Sequence, residues 1–405
     1  MSATDSEIAE LGFGPSGWPR AGSIEEQWQT PDTEFSPRVR KLRSGRYLAV
    51  NPARIAEVHW QATPKLATIC EAAALEATKF DARLDSSVWS YDIVLLRSEA
   101  AASSQIEQLT ASPRAILQAE IGDTTRPNAT LIAANASALR AGLEIAHEIT
   151  VDSILSVHRR LLASSPALNP GVFRTVPVWI GGNNPIDATF VGAPHEAISE
   201  LMDDLIKFCN RTDVPMVVQA AISHAQFELI HPFQDGNGRV GRALFHMMLR
   251  NADVLTHSVL PVSGELLKRS RDYYDALSSY RMGEPEPIIS LFADSLLAAV
   301  SNGGRLMADI AAVRENWLAR LNLRSDSGAY ELLRYALRQP VFTAERAKVD
   351  LGIGNPSFYR YANLLTEAGI LTRSKFYRDS GVWRAQDVLD AMQDFADRAG
   401  FRKPA

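Results

Sequence analysis

The spacing of hydrophobic and polar positions predicts a chain that is mostly helical. From Asn51 to about Thr110, and again over 138–163, apolar residues recur at the three- and four-residue spacing of amphipathic helices. The segment 215–230 (PMVVQAAISHAQFELI) is apolar nearly all round, which is typical of a helix buried inside a domain. Another apolar helical stretch is followed by the double glycine 303–304, which we expect to end that helix.

One stretch before the C-terminal quarter has the two-residue alternation of β-strands. Val176, Val178 and Ile180 alternate, the sequence GGNNP turns the chain, and 188–191 returns. The sequence therefore predicts a hairpin, which without further context is an ordinary surface feature.

Residues 1–45 have no sustained period. Trp18 and Trp28 lie in this segment, and aromatic side chains generally pack against something. We therefore expect an extended arm that lies partly on the main domain.

The C-terminal quarter changes character at about Ser325. Its pattern predicts three short helices and then a hairpin turned at 379–381, which is the order of a winged helix-turn-helix, with Asn355 capping the second, recognition-type helix. Between Pro356 and Arg384, basic residues exceed acidic ones. The bases are Arg360, Arg373, Lys375, Arg378 and Arg384, and the acids are Glu367 and Asp379. Tyr359, Tyr361 and Tyr377 are aromatic residues of the same stretch that could flank a phosphate backbone. Two interpretations stay open, DNA binding through phosphate contacts and a protein-interaction or dimer-forming module.

Composition narrows the classes of protein. A length of 405 residues predicts two to three domains, and a net charge of −5 argues against a protein that coats nucleic acid generally. The cysteines are Cys70 and Cys209 alone, so we expect neither a disulfide framework nor a zinc site. The N-terminus lacks the pattern of a secretion signal and no apolar run is long enough to span a bilayer, so we expect a cytoplasmic protein without a membrane partner.

The densest chemistry lies in HPFQDGNGRVGR, residues 231–242. Its flanks predict a buried helix, a tight loop and a second helix that opens near Gly238. A helix N-terminus with glycines suits an anion, so the N–H groups of Gly236, Asn237 and Gly238 can form a phosphate cradle. Arg239 and Arg242 are three apart and can grip further phosphate oxygens.

Two other groups complete the loop. Asp235 supplies a hard oxygen ligand for Mg²⁺ beside that anion. His231 titrates near neutral pH and can accept a proton from an attacking hydroxyl. Each residue alone is typical of a surface turn or a helix end, but their coincidence within twelve positions favours a functional loop.

This stretch resembles the signature of Fic-domain proteins, HPFx(D/E)GNGRxxR, with every fixed position met. The resemblance extends over roughly 47–303, and winged-helix tails are also found in that family. Fic proteins typically transfer AMP from ATP to a Ser, Thr or Tyr hydroxyl of a target protein. The resemblance implies that His231 is the general base, that Asp235 holds Mg²⁺ and that the loop binds ATP. The implied nucleotide-binding residues are Asp235, Gly236, Asn237, Gly238, Arg239, Val240, Gly241 and Arg242, with Arg242 on the γ-phosphate.

A second motif lies upstream, where Ser103 and Glu107 are four apart and share one helical face. Without context this is the surface of an amphipathic helix. It is similar to the inhibitory helix (S/T)xxxE(G/N) of many Fic proteins, which implies that Glu107 docks on Arg242 and opposes the γ-phosphate. The sequence departs at Gln108, where the family has Gly or Asn, residues that favour close helix packing or a particular local geometry.

The resemblance gives roles to two further regions. The hairpin corresponds to a flap that holds the target segment by main-chain pairing, with Thr189 and Phe190 on its returning strand. Tyr273 and Tyr274 are typical of core or surface aromatics, but a tyrosine near this place lines the adenine pocket in the family, and Tyr274 is the candidate.

The sequence thus predicts a Fic-type helical core with a small β-hairpin flap and a C-terminal winged helix. The predicted segments are an arm (1–45), a helical region with the inhibitory helix (46–145), the catalytic core (146–305), and a linker helix with the winged helix (306–405). The predicted function is a protein adenylyltransferase that uses ATP and Mg²⁺. Its expected partners are a hydroxyl-bearing target protein, the chain itself through auto-modification or a homodimer, and DNA.

Two alternatives stay open. The same site can remove AMP, with Glu107 orienting water. Alternatively, the chain is a DNA-binding regulator whose Fic core senses nucleotide.

Overall fold

The structure, a computed structural model, describes residues 12–30, 44–85, 92–324, 327–375 and 381–401. Helices predominate, so the prediction of a mostly helical chain is confirmed. The helices are α1 (Pro64–Asp85), α2 (Asp92–Ile106), α3 (Pro113–Glu120), α4 (Pro127–Glu144), α5 (Val151–Leu161), α6 (Ile198–Cys209), α7 (Met216–Ile230), α8 (Asn237–Asn251), α9 (Val262–Lys268), α10 (Ser270–Arg281), α11 (Glu286–Ala319), α12 (Ala329–Arg338), α13 (Ala344–Leu351), α14 (Asn355–Glu367) and α15 (Gln386–Arg398).

The strands form three small antiparallel sheets among the described residues. Two are hairpins, β1–β2 and β3–β4, and the third has the order β5-β7-β6. The strands are β1 (Gly22–Trp28), β2 (Gly45–Asn51), β3 (Trp179–Ile180), β4 (Phe190–Val191), β5 (Val341–Thr343), β6 (Thr372–Lys375) and β7 (Gly381–Arg384).

Packing divides the chain into two compact units. The first unit contains Met1–Leu75, Arg140–Val254 and Arg269–Asp294, and the second contains Glu76–Leu139, Leu255–Lys268 and Ser295–Ala405. Three of the five boundaries fall inside α1, α4 and α11, where the helical pattern of the sequence continues without a break, and the other two lie after α8 and between α9 and α10.

Helix α7 forms the centre of the first unit. It packs against α6, α8 and α10, and nearly all of its residues are buried, as its all-round apolar sequence predicts. Gly241 on α8 permits a close approach, because a Cβ there would lie 2.9 Å from Oε1 of Glu228 and 3.0 Å from Cδ1 of Phe227 on α7. The two helices that flank the 231–242 loop are therefore held together by their own packing.

The N-terminal arm contributes to the same unit. Trp18 is buried, with its ring centroid 5.9 Å from that of Tyr280 and 6.1 Å from that of Trp60. Trp28 packs edge-on against Trp179 of the β3–β4 hairpin, with centroids 5.6 Å apart. The packing expected of both tryptophans is confirmed.

The β1–β2 hairpin was not predicted. Its strands are fully paired from Gly22 opposite Asn51 to Trp28 opposite Gly45. Adjacent glutamates at 25 and 26 and a long connection between the strands hide the alternation that a hairpin normally shows in sequence.

A buried histidine of α5, His158, is hydrogen-bonded to the backbone of the 231–242 loop. Nδ1 of His158 accepts a hydrogen bond from the Gly171 N–H at 2.8 Å, so Nε2 carries the proton and donates to the carbonyl oxygen of Asp235 at 3.1 Å. Its ring stacks on Phe233 at 3.7 Å. Burial lowers the pKa of His158 to about 4, so the neutral form is the one built into the fold.

In the second unit, α11 continues through Gly303 and Gly304, so the prediction that this pair ends a helix is wrong. A Cβ at Gly303 would lie 3.4 Å from Phe80 and 3.5 Å from Leu260. This glycine is explained by close packing inside the unit rather than by a helix end. Helix α11 also has the length and composition of a membrane span, contrary to the sequence prediction, although Leu306 and Ile310 are buried within the protein.

The C-terminal segment, residues 327–401, has the predicted order of three helices and paired strands. In sequence these are α12, β5, α13, α14, β6 and β7, followed by α15. The prediction that Asn355 caps α14 is wrong, since Asn355 is the first helical residue and the cap is Gly354, whose backbone is extended. The Asn355 side chain instead accepts a hydrogen bond from Lys348 at 2.6 Å. The predicted turn residues Asp379 and Ser380, together with Tyr377 and Arg378, lie outside the described residues.

Helix α2 ends in a Schellman motif that fixes the residues after it. Gln108 has a φ of +64°, its N–H donates to the Gln105 carbonyl at 3.0 Å, and the Leu109 N–H donates to the Ser104 carbonyl at 3.0 Å. Glu107 is therefore the last residue before the left-handed turn. Gly and Asn, the residues of the inhibitory-helix motif at this position, tolerate a positive φ best.

Replacing Gln108 with Gly should raise the free energy of unfolding by about 0.5–1 kcal/mol, because glycine relieves the left-handed strain. Urea unfolding of the purified chain measures this change. The matched control is Gln393→Gly in the interior of α15, which should lower stability by about 1 kcal/mol. A loss of stability at both positions would contradict the assigned strain.

Lowering the pH from about 6.5 to about 4 should reduce stability through His158. Its folded-state pKa of about 4 lies below the ordinary value of 6.5, so the unfolded chain binds the proton first. The stability present above pH 6.5 is lost as the pH falls, by up to about 3 kcal/mol. Denaturant unfolding at several pH values should show a shallower decline for His158→Gln than for the wild type, and identical slopes would contradict the assignment.

Candidate functional site

The site begins where α7 ends at Ile230. His231 takes the left-handed conformation, with φ +53°, and its N–H donates to the Phe227 carbonyl at 2.9 Å. This turn directs the ring back along α7. Nδ1 lies 3.2 Å from the carbonyl oxygen of Glu228 and 3.7 Å from its Oε2. Two oxygens beside Nδ1 assign the proton to that nitrogen, which makes Nε2 the basic one.

Arg174 fixes the backbone around His231. Its Nε donates to the His231 carbonyl at 2.7 Å, and its Nη2 donates to the carbonyls of Ala193 at 2.5 Å and Ile230 at 3.3 Å. Its Nη1 donates to the Val176 carbonyl at 2.9 Å. Burial lowers the pKa of Arg174 to about 10, which still leaves it charged at neutral pH. One guanidinium therefore binds the carbonyl of His231 and both ends of the β3–β4 hairpin.

Sequence reasoning missed Arg174. The only local signal is a charged residue inside the otherwise apolar and small-residue run GVFRTV, and that signal does not identify the carbonyl oxygens it binds.

The predicted hairpin is confirmed, although its strands are short. Trp179 pairs with Val191 and Ile180 with Phe190, so Val176 and Val178 precede the strand. The Phe190 ring lies edge-on to that of His231, with centroids 5.8 Å apart, so the structure brings these two residues together. Thr189 is exposed, and its N–H donates within the hairpin to the Ile180 carbonyl at 3.0 Å.

The second helix opens on a glycine, close to the position predicted. Gly236 has a φ of +84° and caps α8, which starts at Asn237. The Asn237 side chain closes the loop through two bonds to the backbone of Phe233, at 2.8 and 2.9 Å. The Val240 N–H donates to the Gly236 carbonyl at 3.0 Å, the first bond inside the helix.

The phosphate cradle predicted at the N–H groups of Gly236, Asn237 and Gly238 stays a prediction, and one of these groups has a protein partner. The N–H of Gly236 donates to Oδ1 of its neighbour Asp235 at 2.6 Å. The N–H groups of Asn237, Gly238 and Arg239 precede the first bond inside α8 and form the positive end of the helix.

The Arg239 side chain is buried but only partly hydrogen-bonded. It is only 4% exposed, and its Nη2 donates to Oδ1 of Asp235 at 3.2 Å. Within the described part of the chain, its Nε and Nη1 are buried without a hydrogen-bond partner. Buried charged donors are costly unless paired, so this arginine beside a helix N-terminus suits a bound anion.

The remaining loop residues divide by exposure. Asp235 is 51% exposed on its side chain, which leaves its carboxylate accessible to a cation. Arg242 is buried, three residues beyond Arg239 on the same helix. Val240 is also buried in α8, and Gly241 faces α7.

The remaining predicted residues belong to the helices α10 and α2 and to the turn after α2. Tyr274 on α10 is 50% exposed, whereas its neighbour Tyr273 is buried with its hydroxyl 2.8 Å from Nε2 of His224. Ser103 is buried on α2 in the second unit, and Glu107 follows that helix. The adenine-binding role of Tyr274 and the docking of Glu107 on Arg242 stay predictions.

Known proteins resemble the region that contains this loop. Residues 148–249 match the model of the Fic/DOC family. Protein adenylyltransferase fic-1 of Caenorhabditis briggsae is 30% identical over 156 residues, which cover 38% of this chain and 28% of the relative. Protein adenylyltransferase Fic of Aedes aegypti is 32% identical over 149 residues, covering 36% and 27%. In both cases the match spans less than a third of the relative's own length.

A solved structure extends the likeness in fold. The crystal structure of a Fic family protein from Desulfovibrio desulfuricans G20 superposes with a TM-score of 0.51 at 22% identity, over 80% of this chain and 97% of that one. With the signature complete from His231 to Arg242 and the family match around it, residues 148–249 are a Fic/DOC family domain.

Proposed function

We propose that this chain is a protein adenylyltransferase, which transfers AMP from ATP to a hydroxyl group of a target protein. The observation that carries the proposal is the 231–242 loop, because this short stretch supplies a histidine with a basic Nε2, a helix N-terminus and a buried, partly unpaired arginine. The similarity to adenylyltransferases of two animals supports the direction of the reaction.

In the proposed reaction, the target hydroxyl attacks the α-phosphorus of ATP while the bond to the β-phosphate oxygen breaks. His231 takes the hydroxyl proton at Nε2, and pyrophosphate leaves. Glu228 favours this transfer, because its carbonyl and carboxylate oxygens beside Nδ1 stabilise the imidazolium that forms. Phosphoryl transfer depends mainly on positioning and charge neutralisation, which the N–H groups of 237–239 and the Arg239 guanidinium supply.

The residues present fit Mg²⁺ carried on ATP. Oδ1 of Asp235 already accepts from Gly236 and Arg239, while the half-exposed carboxylate presents Oδ2 as a hard ligand. One or two carboxylates plus substrate phosphates are the usual ligands of this ion, which would neutralise charge between the phosphates. No cluster of three ligating side chains occurs among the described residues, so the phosphates would provide much of the coordination.

We assign target binding to the β3–β4 hairpin. Its strands are short, and Phe190 lies against His231, so a target segment paired along this edge would pass close to the base. Arg174 maintains that distance, because it binds the carbonyls at both hairpin ends and at His231. Its role is positioning rather than chemical.

We further propose that Glu107 inhibits the forward reaction. The Schellman turn at Gln108 sets the direction of the backbone at Glu107, as an inhibitory contact with a fixed geometry requires. A carboxylate docked on Arg242 would remove a γ-phosphate ligand and repel the phosphate itself.

The C-terminal segment has the element order of a winged helix, and we propose that identity for it. DNA binding and a homodimer stay predictions of the sequence. Two of the counted bases are engaged within the fold, since Arg373 lies 4.8 Å over the Trp383 ring and Arg360 lies 4.9 Å over the Tyr361 ring.

Replacing His231 with Ala should lower AMP transfer at least about 100-fold while ATP binding changes little, because the base acts in the transition state. Transfer from α-labelled ATP measures the first effect and calorimetry the second. His147→Ala, at an exposed histidine outside the site, is the matched control. Undiminished transfer in His231→Ala would refute the base assignment.

Replacing Glu107 with Gly should raise auto-modification by roughly 10- to 100-fold, the range expected from losing one charge-assisted contact of about 1.5–3 kcal/mol. Glu107→Gln keeps the size of the side chain and should raise the rate in the same direction. Rates equal to the wild type in both variants would show that Glu107 does not inhibit. Loss of AMP removal from a pre-modified target in these variants would instead support the reverse reaction.

A further inference from the structure

The buried arginine Arg97 joins α2 to the C-terminal segment inside the second unit. It is only 4% exposed and lies on the helix that ends at Glu107. Its Nε and Nη2 bind both carboxylate oxygens of Glu120 on α3, at 2.9 and 2.5 Å. Its Nη1 donates to the Arg338 carbonyl at the end of α12, at 2.6 Å, and Nη2 also donates to Oε1 of Gln339.

Arg97 thus makes two kinds of contact, an ion pair with Glu120 and hydrogen bonds to the end of α12. Glu120 neutralises its charge within the helical region that precedes the C-terminal segment. The bonds to Arg338 and Gln339 satisfy further N–H donors of the guanidinium but add no charge compensation. They do attach α2 to the end of α12.

A second surface of α2 meets the same segment. Ser98, which follows Arg97, and Ala101, one turn further along α2, line an apolar cleft together with Arg97 itself and with Pro113, Ile116 and Leu117 of α3. The far wall of the cleft is the C-terminal helix α15 with the residue that follows it, and consists of Met392, Phe395, Ala396 and Phe401. Helix α2 therefore packs against two elements of the C-terminal segment, α12 and α15.

The opposite side of α2 is held independently of that segment. Glu99 accepts a bond from the Ser263 N–H at the start of α9, at 2.8 Å, and Asn135 of α4 donates to the Ala100 carbonyl at 2.9 Å. Loss of the C-terminal contacts would leave these bonds in place. The helix would loosen or shift rather than unfold.

We propose that the C-terminal segment controls the position of α2 through Arg97, and thereby sets how strongly Glu107 inhibits. The inference rests on the proposed adenylyltransferase function and adds a regulator to it. Anything that displaces α12 or α15 from α2 releases the inhibitory residue. Coupling of this kind typically changes an equilibrium by roughly 5- to 150-fold.

The test combines Gln339→Ala with the Glu107→Gly background. Gln339→Ala removes a contact of Arg97 but leaves the Arg97–Glu120 pair intact, so the fold should survive. Transfer from α-labelled ATP should rise at least about fivefold in the Glu107 chain and stay unchanged in the Glu107→Gly chain. Gln393→Ala on α15, whose side chain binds Asp397 outside the cleft, is the matched control and should change neither rate.

An unchanged rate in the Glu107 chain would overturn the proposal. So would an equal change in both backgrounds, because the effect would then not pass through Glu107. Hydrogen exchange of the α2 amides supplies a readout independent of activity, and Gln339→Ala should exchange faster there than Gln393→Ala. If even the Glu107→Gly chain transfers no AMP, the proposed function fails, and exchange alone then decides whether the segments are coupled.

Discussion

The site depends on one buried guanidinium that binds backbone carbonyls. Arg174 contacts the carbonyl oxygens of His231, Ile230, Val176 and Ala193, four groups that belong to the end of α7 and to the two ends of the hairpin. Buried carbonyls without partners would be costly, and so would a buried charge without acceptors. Here the guanidinium supplies donors to the buried carbonyls, and the carbonyls supply acceptors to the buried guanidinium. The distance between the basic histidine and the hairpin is therefore fixed by the fold itself.

Hydrogen bonds to its own backbone hold the 231–242 loop in one conformation. His158 donates to the Asp235 carbonyl and Asn237 closes the loop on Phe233, so the turn is rigid before any ligand binds. The same turn leaves two nitrogens of Arg239 without a protein acceptor among the described residues, beside the N-terminus of α8. A preorganised cluster of donors of this kind stabilises phosphate charge without reorganising during the reaction.

Patterns of period and local chemistry predicted much of this protein. The spacing of apolar residues predicted the helices, and the all-round apolar character of α7 predicted its burial. The loop could be recognised because its residues are adjacent in sequence. The departure at Gln108 was visible in the sequence, but its cause, a positive φ after Glu107, required coordinates.

The features that escaped prediction depend on distant partners. Arg174 and Arg97 act on carbonyls and side chains far along the chain, and no local pattern marks such pairs. Gly303 has the appearance of a helix end but allows Phe80 and Leu260 to approach α11 closely. The β1–β2 hairpin was missed because a long connection separates its strands.

The 231–242 loop should bind the phosphates of a nucleotide beside the basic nitrogen of His231. A crystal structure of the Glu107→Gly chain with Mg²⁺ and a non-hydrolysable ATP analogue tests it most directly. We expect phosphate oxygens within hydrogen-bond distance of the 237–239 N–H groups and of the Arg239 guanidinium, with the α-phosphate facing Nε2 of His231. A nucleotide bound elsewhere, with Arg239 still unpaired, would contradict it.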